Sequence, residues 1–236
     1  MAIRPIFVPD LTGFPYVRIV EVEFDWYPGF SSTQAQRSIA SLHATAAQLG
    51  FSPVLEISSK SKDKLGVFLS AFNLQIQVPG HPSMAVECAF QGSKVFKSGG
   101  PYTDLYSRSS REAKMDERIR SGKDIIGFNF MGEDFPTTPL TAFYDWLYIR
   151  ALWQNQLLAD QLGIFQAFSD IAFNPKRSVN CQARSAALYV ALLSILDIQK
   201  AIEDKAYYLS VVCNEIPQPK KENGEATQLN LPFESK

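Results

Sequence analysis

The stretch MAVECAFQGSKVFKSGGPYTDL, residues 84–105, limits the possible folds more than any other part of the chain. Ser83 offers a helix cap and Gly99-Gly100-Pro101 a strong terminator, so the pattern predicts a helix over about 84–98. At ~100° per residue, Glu87, Gln91 and Lys94 fall within about 60° of one another on that helix. Met84, Ala85, Cys88, Ala89, Val95 and Phe96 fill much of the remaining circumference, and Val86 and Phe90 flank the stripe. A helix that is apolar nearly all round has to be covered nearly all round. The rest of the chain is therefore expected to wrap this segment and leave one polar line accessible. Glu87 has no simple capping role, because a capping box wants its acid at the third helical position, which is Val86. Buried charges are costly unless they are paired or used, so the stripe is either an internal ion pair or a functional site. Seven residues of helix span ~10 Å, which makes a dedicated Glu87–Lys94 pair less natural than one at i,i+4.

The chain of 236 residues is long enough for one large core, or for one domain with a sizeable extension. A net charge of -1 excludes a bulk electrostatic grip on nucleic acid, so any polyanion has to be met locally. Pro5 and Pro9 break the N-terminus before an apolar run develops, so no secretory signal is expected. The run from Ala186 to Leu193 is far short of the ~18 residues of a membrane span. Cys88, Cys181 and Cys213 are odd in number and lack metal-ligand spacing, which points to a reduced cytoplasm. With His43 and His81 as the two histidines, a histidine metal site or a Ser-His-Asp triad is not expected.

Along the chain, YVRIVEVEF (16–24) alternates as a strand, residues 31–50 carry helical spacing at Ile39, Leu42, Ala46 and Leu49, and PVLEIS (53–58) reads as a second strand. Together they predict a β-α-β opening unit. Residues 67–78 fit a strand or irregular structure. Residues 107–124 mix charges as a solvated helix and loop, or alternatively as a phosphate-facing surface. Thr138-Pro139 starts a helix expected to run to Gly163, with Phe143, Trp146, Leu147, Arg150, Trp153 and Leu157 on one face. Another helix is expected over roughly 179–205, followed by a polar, disordered tail. The expected class is α+β, mainly helical, with a small β-sheet near the N-terminus. The expected division is an N-terminal extension (1–64) packed on a main domain (65–214), then the tail (215–236).

VECAFQGSK (86–94) resembles the EHxFQAxK motif of the NADAR (YbiA-like) family, with Glu87, Phe90, Gln91 and Lys94 matching in type and spacing. Cys88 stands where the family usually has histidine. LGVFLSAFNL (65–74) resembles the family's upstream LSNF segment, and Asp145, Trp146 and Arg150 resemble its tryptophan-bearing helix. FSDIAF (168–173) resembles the later D-x-x-W element, with Phe173 in place of the tryptophan. These elements span 65 to about 195 in the right order, and with EISSKS and GGPYTDL they are similar to the DarT-associated NADAR antitoxin subgroup. The resemblance implies a YbiA-like fold bearing the β-α-β unit as an extension.

It also implies a glycosidase that removes ADP-ribose from guanine bases of DNA, undoing a DarT-type toxin, with no cofactor or metal. Alternatives are an ADP-ribose-binding or toxin-binding antitoxin without catalysis, or an N-glycosidase acting on RNA or a small molecule. Cleavage of a ribosyl C–N bond passes through an oxocarbenium-like state, which the Glu87 carboxylate would stabilise while positioning a water or hydroxyl. Lys94 would give a proton to the departing base or, if the ribose opens, attack C1 as an amine. Asp170 would orient ribose hydroxyls, or else hold a turn. Gln91 and Phe72 join as ligand contacts, and Trp146 either stacks on a base or belongs to the core. Lys176 and Arg177 precede an expected helix start at Ser178, where a pyrophosphate would bind. Ser58, Ser59 and Lys60 are candidates of the same kind, and Asn180 either caps that helix or contacts ligand. In the tail, QLNLPF resembles the hexapeptides that dock on a bacterial sliding clamp, with Gln228, Leu231 and Phe233 as anchors.

Overall fold

The structure is a computed structural model that describes residues 1–214 except Phe30 and Arg177. The tail motif, Gln228, Leu231 and Phe233, lies outside the described residues, as does Arg177. The first half runs β1 (Ala2–Pro9), β2 (Val17–Phe24), α1 (Ser32–Gln48), β3 (Val54–Glu56), α2 (Lys64–Phe68), β4 (Gln75–Ile76), β5 (Met84–Ala85), α3 (Val86–Gly92) and β6 (Lys94–Phe96). The second half runs α4 (Ser110–Met115), α5 (Glu117–Ser121), β7 (Ile125–Phe130), β8 (Glu133–Phe135), α6 (Ala142–Gln154), α7 (Gln156–Ala159), β9 (Ala167–Ser169), α8 (Gln182–Ile195), α9 (Ile198–Glu203) and α10 (Lys205–Val212). The architecture is α+β.

The largest sheet has the order β2-β1-β9-β3, with β9 antiparallel to β1 and parallel to β3. Its strands alternate strictly. Ile6, Val22, Phe24 and Ala167 face α1, meeting Ile39, Leu42 and Ala46. Phe7, Leu55 and Phe168 face the other way, into the main core built on α6 and α8. A sheet with helices on both faces reads as near-continuous hydrophobic runs, and here the period of two still sorts each strand's residues into two cores. The β-α-β opening exists as β2-α1-β3, but β1 and β9 lie between its two strands. Strand β1 was missed because Pro5 and Pro9 argue against an interior strand. Pairing with β9 uses just Ile6 and Phe7, so neither proline is asked for an amide there. Because β9 comes from residue 167 onward, the expected boundary at 64 runs through a shared sheet.

The three long helices expected from the sequence are shorter than predicted. The helix over 84–98 ends at Gly92, and Lys94–Phe96 pairs with β7 instead. A Cβ at Gly92 would come within 2.5 Å of the Tyr106 ring, so this position admits no side chain. The helix expected to reach Gly163 stops at Gln154: the Asn155 side chain donates to Ala151 O and Gln75 O, competing with the helical ladder. Leu157, expected on its apolar face, is exposed. The helix over 179–205 starts at Gln182 and breaks at Asp197 and Asp204, each of which caps a new short helix. Residues 67–78 end α2 and supply β4, while 107–124 carry α4 and α5 on the surface. Among the described residues, no helix is long and apolar enough to cross a membrane.

Candidate active site

Helix α3 is the centre of the molecule. Every residue from Val86 to Gly92 is buried, as the all-round apolar pattern requires. Its start is fixed by backbone bonds from Val86 to Leu74 O and from Glu87 to Ala71 O. Glu87 and Gln91 are one turn apart, and the Gln91 Nε2 donates to Glu87 Oε1 at 2.9 Å. The chain then turns into β6, which brings Lys94 back so that its Nζ donates to Gln91 Oε1 at 2.7 Å. The amide thus bridges the carboxylate and the ammonium. Lys94 also sits 4.7 Å over the Phe90 ring. Burial pulls its ammonium down to about 8, with Glu87 holding it up and Lys114 pushing it further down. Lys114, from α4, places its Nζ 4.0 Å from Glu87 Oε1 and 5.2 Å over the Phe72 ring.

These groups form one wall of a cavity of about 710 Å³. Another wall comes from the C-terminal end of β9 and from the turn after it. There Asp170 is buried; its Oδ1 accepts from Ala172 N at 3.0 Å and its Oδ2 from Gln182 Nε2 at 3.0 Å. Burial, then the negative charge of Glu56, raises the Asp170 carboxyl to about 7. Glu56 is itself buried and accepts the Ser169 hydroxyl at 2.6 Å and the Ile171 amide at 2.9 Å. His43 lies behind Ser169, Nε2 to Oγ 2.8 Å, and burial lowers its imidazole to about 4, so it is neutral. Gln182 binds this wall together: its Oε1 accepts from Ala71 N and its Nε2 also donates to Ile57 O, both at 2.7 Å.

The family model for DarT1-associated NADAR antitoxins matches residues 2–222. The chain belongs to this family. Membership makes it the antitoxin of a DarT system, with a DarT toxin as its functional partner. The match begins at residue 2, so the N-terminal sheet and α1 are part of the family's own span. No curated protein matches the chain.

The antitoxin's cavity gathers Glu87, Gln91, Lys94, Asp170, Phe72, Ser58, Ser59 and Asn180 from the residues singled out in the sequence. Asn180 is not the helix cap: Cys181 holds that position, and Asn180 Oδ1 is buried with no hydrogen-bond partner. Trp146 is not at the cavity. It is 2% exposed, packed edge-on to Phe130 and tilted against Phe135, and belongs to the core because α6 is buried along nearly all its length. Lys60 points instead to Ser32 Oγ at 3.3 Å. Lys176 is exposed and away from the lining, and the helix it was to introduce begins at Gln182, too late to present its amides to a pyrophosphate there. Cys88, where the family usually has histidine, faces away from the cavity and donates to Arg108 O at 3.1 Å. That substitution leaves the Glu87 wall untouched.

Sequence reasoning missed Glu56, Gln182, Tyr144, Lys114, Arg4 and Trp26. Arg4 and Trp26 line the cavity from the N-terminal sheet, with the guanidinium 5.4 Å over the indole. Tyr144 packs edge-on against Phe90 at 5.0 Å, and burial keeps its phenol protonated. Glu56 left a trace as a carboxylate inside the strand-like PVLEIS, and Lys114 as one cation of the mixed-charge stretch 107–124.

Proposed function

We propose that this antitoxin is an ADP-ribosyl glycohydrolase of YbiA-like fold that removes ADP-ribose from guanine bases of DNA modified by its DarT toxin. The observation that carries the reading is the bonded series Glu87–Gln91–Lys94 on the wall of a cavity large enough for a nucleotide-sized ligand. A carboxylate and an ammonium held by one amide suit the two halves of the reaction. As the glycosidic bond breaks, its electron pair leaves with the guanine nitrogen and Lys94 gives that nitrogen a proton. An ammonium near 8 is mostly protonated at neutral pH and still gives up its proton readily. Glu87 offsets the positive charge that develops at C1 and takes the proton of the water that attacks there. Asp170, fixed by Ala172 and Gln182, accepts from ribose hydroxyls once ionised. Asn180 Oδ1 accepts a ligand donor, and Arg4 with Trp26 suits a phosphate beside an adenine ring.

The test is release of ADP-ribose from an oligonucleotide carrying ADP-ribosylated guanine. Wild type is expected to release it and Glu87→Gln to lose the release. If wild type releases nothing yet still protects cells from the toxin, the protein acts by binding.

A further inference from the structure

A second cavity, of about 870 Å³, adjoins the first, and Phe72 is the residue common to both linings. The partition is anchored, since Ser110 Oγ donates to Phe72 O at 2.8 Å, while the ring itself is 37% exposed. Across Phe72 the second cavity is lined by His81, Ser83, Thr103, Tyr106 and Arg108. On the first cavity's side of Phe72, Lys114 lies 5.2 Å over the ring and 4.0 Å from Glu87 Oε1. The catalytic carboxylate is therefore one lysine away from the partition.

We propose that this second cavity is a binding site for single-stranded nucleic acid, which holds the nucleotide next to the modified guanine. The inference rests on the proposed reading of the first cavity and extends it from the base to the strand. A guanine at Glu87 leaves its sugar-phosphate backbone to exit past Lys114, and Phe72 is the nearest ring available to the next base. Aromatic platforms combined with cations are what single-strand binding uses, because every base has a face to stack. The charge distribution agrees. With a net charge of -1, the chain can grip a polyanion only locally. Within 104–118 three of the four acids are already engaged, Asp104 and Asp116 by Arg118 at 2.8 and 2.9 Å and Glu112 by the Ser109 hydroxyl at 2.7 Å. Arg108, in the second lining, is left to face the strand, and Lys114, shared with Glu87, flanks Phe72 from the first.

The experiment is fluorescence anisotropy of a labelled, unmodified single-stranded oligonucleotide with the full chain at low salt, a readout that needs no catalysis. Arg108→Ala is expected to weaken binding about tenfold and to flatten the slope of log K against log salt by roughly 0.7. Ser83→Glu, which sets a carboxylate in the second cavity, is expected to weaken it at least as much. Arg120→Ala, on α5 and outside both linings, is expected to leave it unchanged. Equal loss in all three variants would mean diffuse surface attraction and would overturn the proposal, as would no loss in any with melting temperatures preserved. Weakened binding of the toxin in place of the oligonucleotide would make the cavity a protein-docking groove and overturn it too. Failure of wild type to release ADP-ribose would strike the glycohydrolase reading alone, because strand binding is measured independently.

Discussion

The two walls of the cavity are built in opposite ways. Glu87, Gln91 and Lys94 come from eight consecutive residues, held by one helix turn and one strand start. Asp170 is held by Ala172 and Gln182 and lies beside Glu56, which is itself held by Ser169 and Ile171, so this wall draws on two strands, a turn and a helix. A wall made of neighbours in sequence is rigid by local geometry, whereas one assembled from distant segments depends on the sheet and α8 being packed. The first should therefore fail by losing chemistry, and the second by shifting its pH dependence and its ligand affinity.

The sharpest way to break this comparison is Glu87→Gln. It keeps size and a hydrogen-bonding group beside Gln91 while removing the charge, and kcat for ADP-ribose release is expected to fall by about 10²–10⁴ with stability little changed. A comparable loss of melting temperature would show that the carboxylate serves folding more than chemistry. Next in size is the alkaline limb of the rate profile. In the proposed reaction Lys94 acts in its protonated form, so activity should fall as pH rises through about 8, and Lys94→Met should abolish that limb together with most of the rate. Activity that instead climbs through this range, with a covalent adduct trapped by borohydride, would assign the amine as nucleophile.

The distributed wall sets the acid limb. In the proposed reaction Asp170 acts ionised, so activity should rise as pH climbs through about 7. The charge on Glu56 helps to keep that carboxyl protonated, so Glu56→Gln should move the limb to lower pH while leaving the alkaline limb in place. An acid limb that does not move would disconnect Glu56 from Asp170. Burial raises both carboxyls in the folded state. Their contribution to stability is thus fullest below the ordinary carboxylate range and is lost as pH rises towards the folded values.

The same contrast explains what the sequence disclosed. The Glu87 wall was legible because a polar stripe in an apolar segment is a local pattern, and even the wrong helix length left its three residues together. The error was a topological one: pairing of Lys94–Phe96 with β7 depends on a strand about 30 residues away in the chain. Glu56 and Gln182 carry no local sign of their place, since nothing in PVLEIS or in CQAR says that both will come to lie beside Asp170. Strand β9 was hidden for the same reason, three residues long and identifiable only by its partners β1 and β3.

Two residues near α6 and α8 give the smallest effects and the cleanest separation. Trp146 and Asn180 were both named as ligand contacts from the sequence, and each carries a buried polar atom without a partner. Their surroundings differ. Trp146 Nε1 is enclosed among Phe130, Phe135 and the rest of the core, so Trp146→Phe should cost roughly 1–3 kcal/mol of stability through lost packing and leave ADP-ribose affinity unchanged. Asn180 Oδ1 belongs to a residue of the cavity lining, so Asn180→Ala should spare the melting temperature and weaken ADP-ribose binding by about tenfold, the worth of one hydrogen bond to an otherwise unmatched group. Thermal melts and titration calorimetry on both variants resolve the pair. If the tryptophan variant loses affinity, α6 transmits to the ligand through the core; if the asparagine variant loses stability instead, its orphaned oxygen belongs to the fold and the distributed wall ends at Gln182.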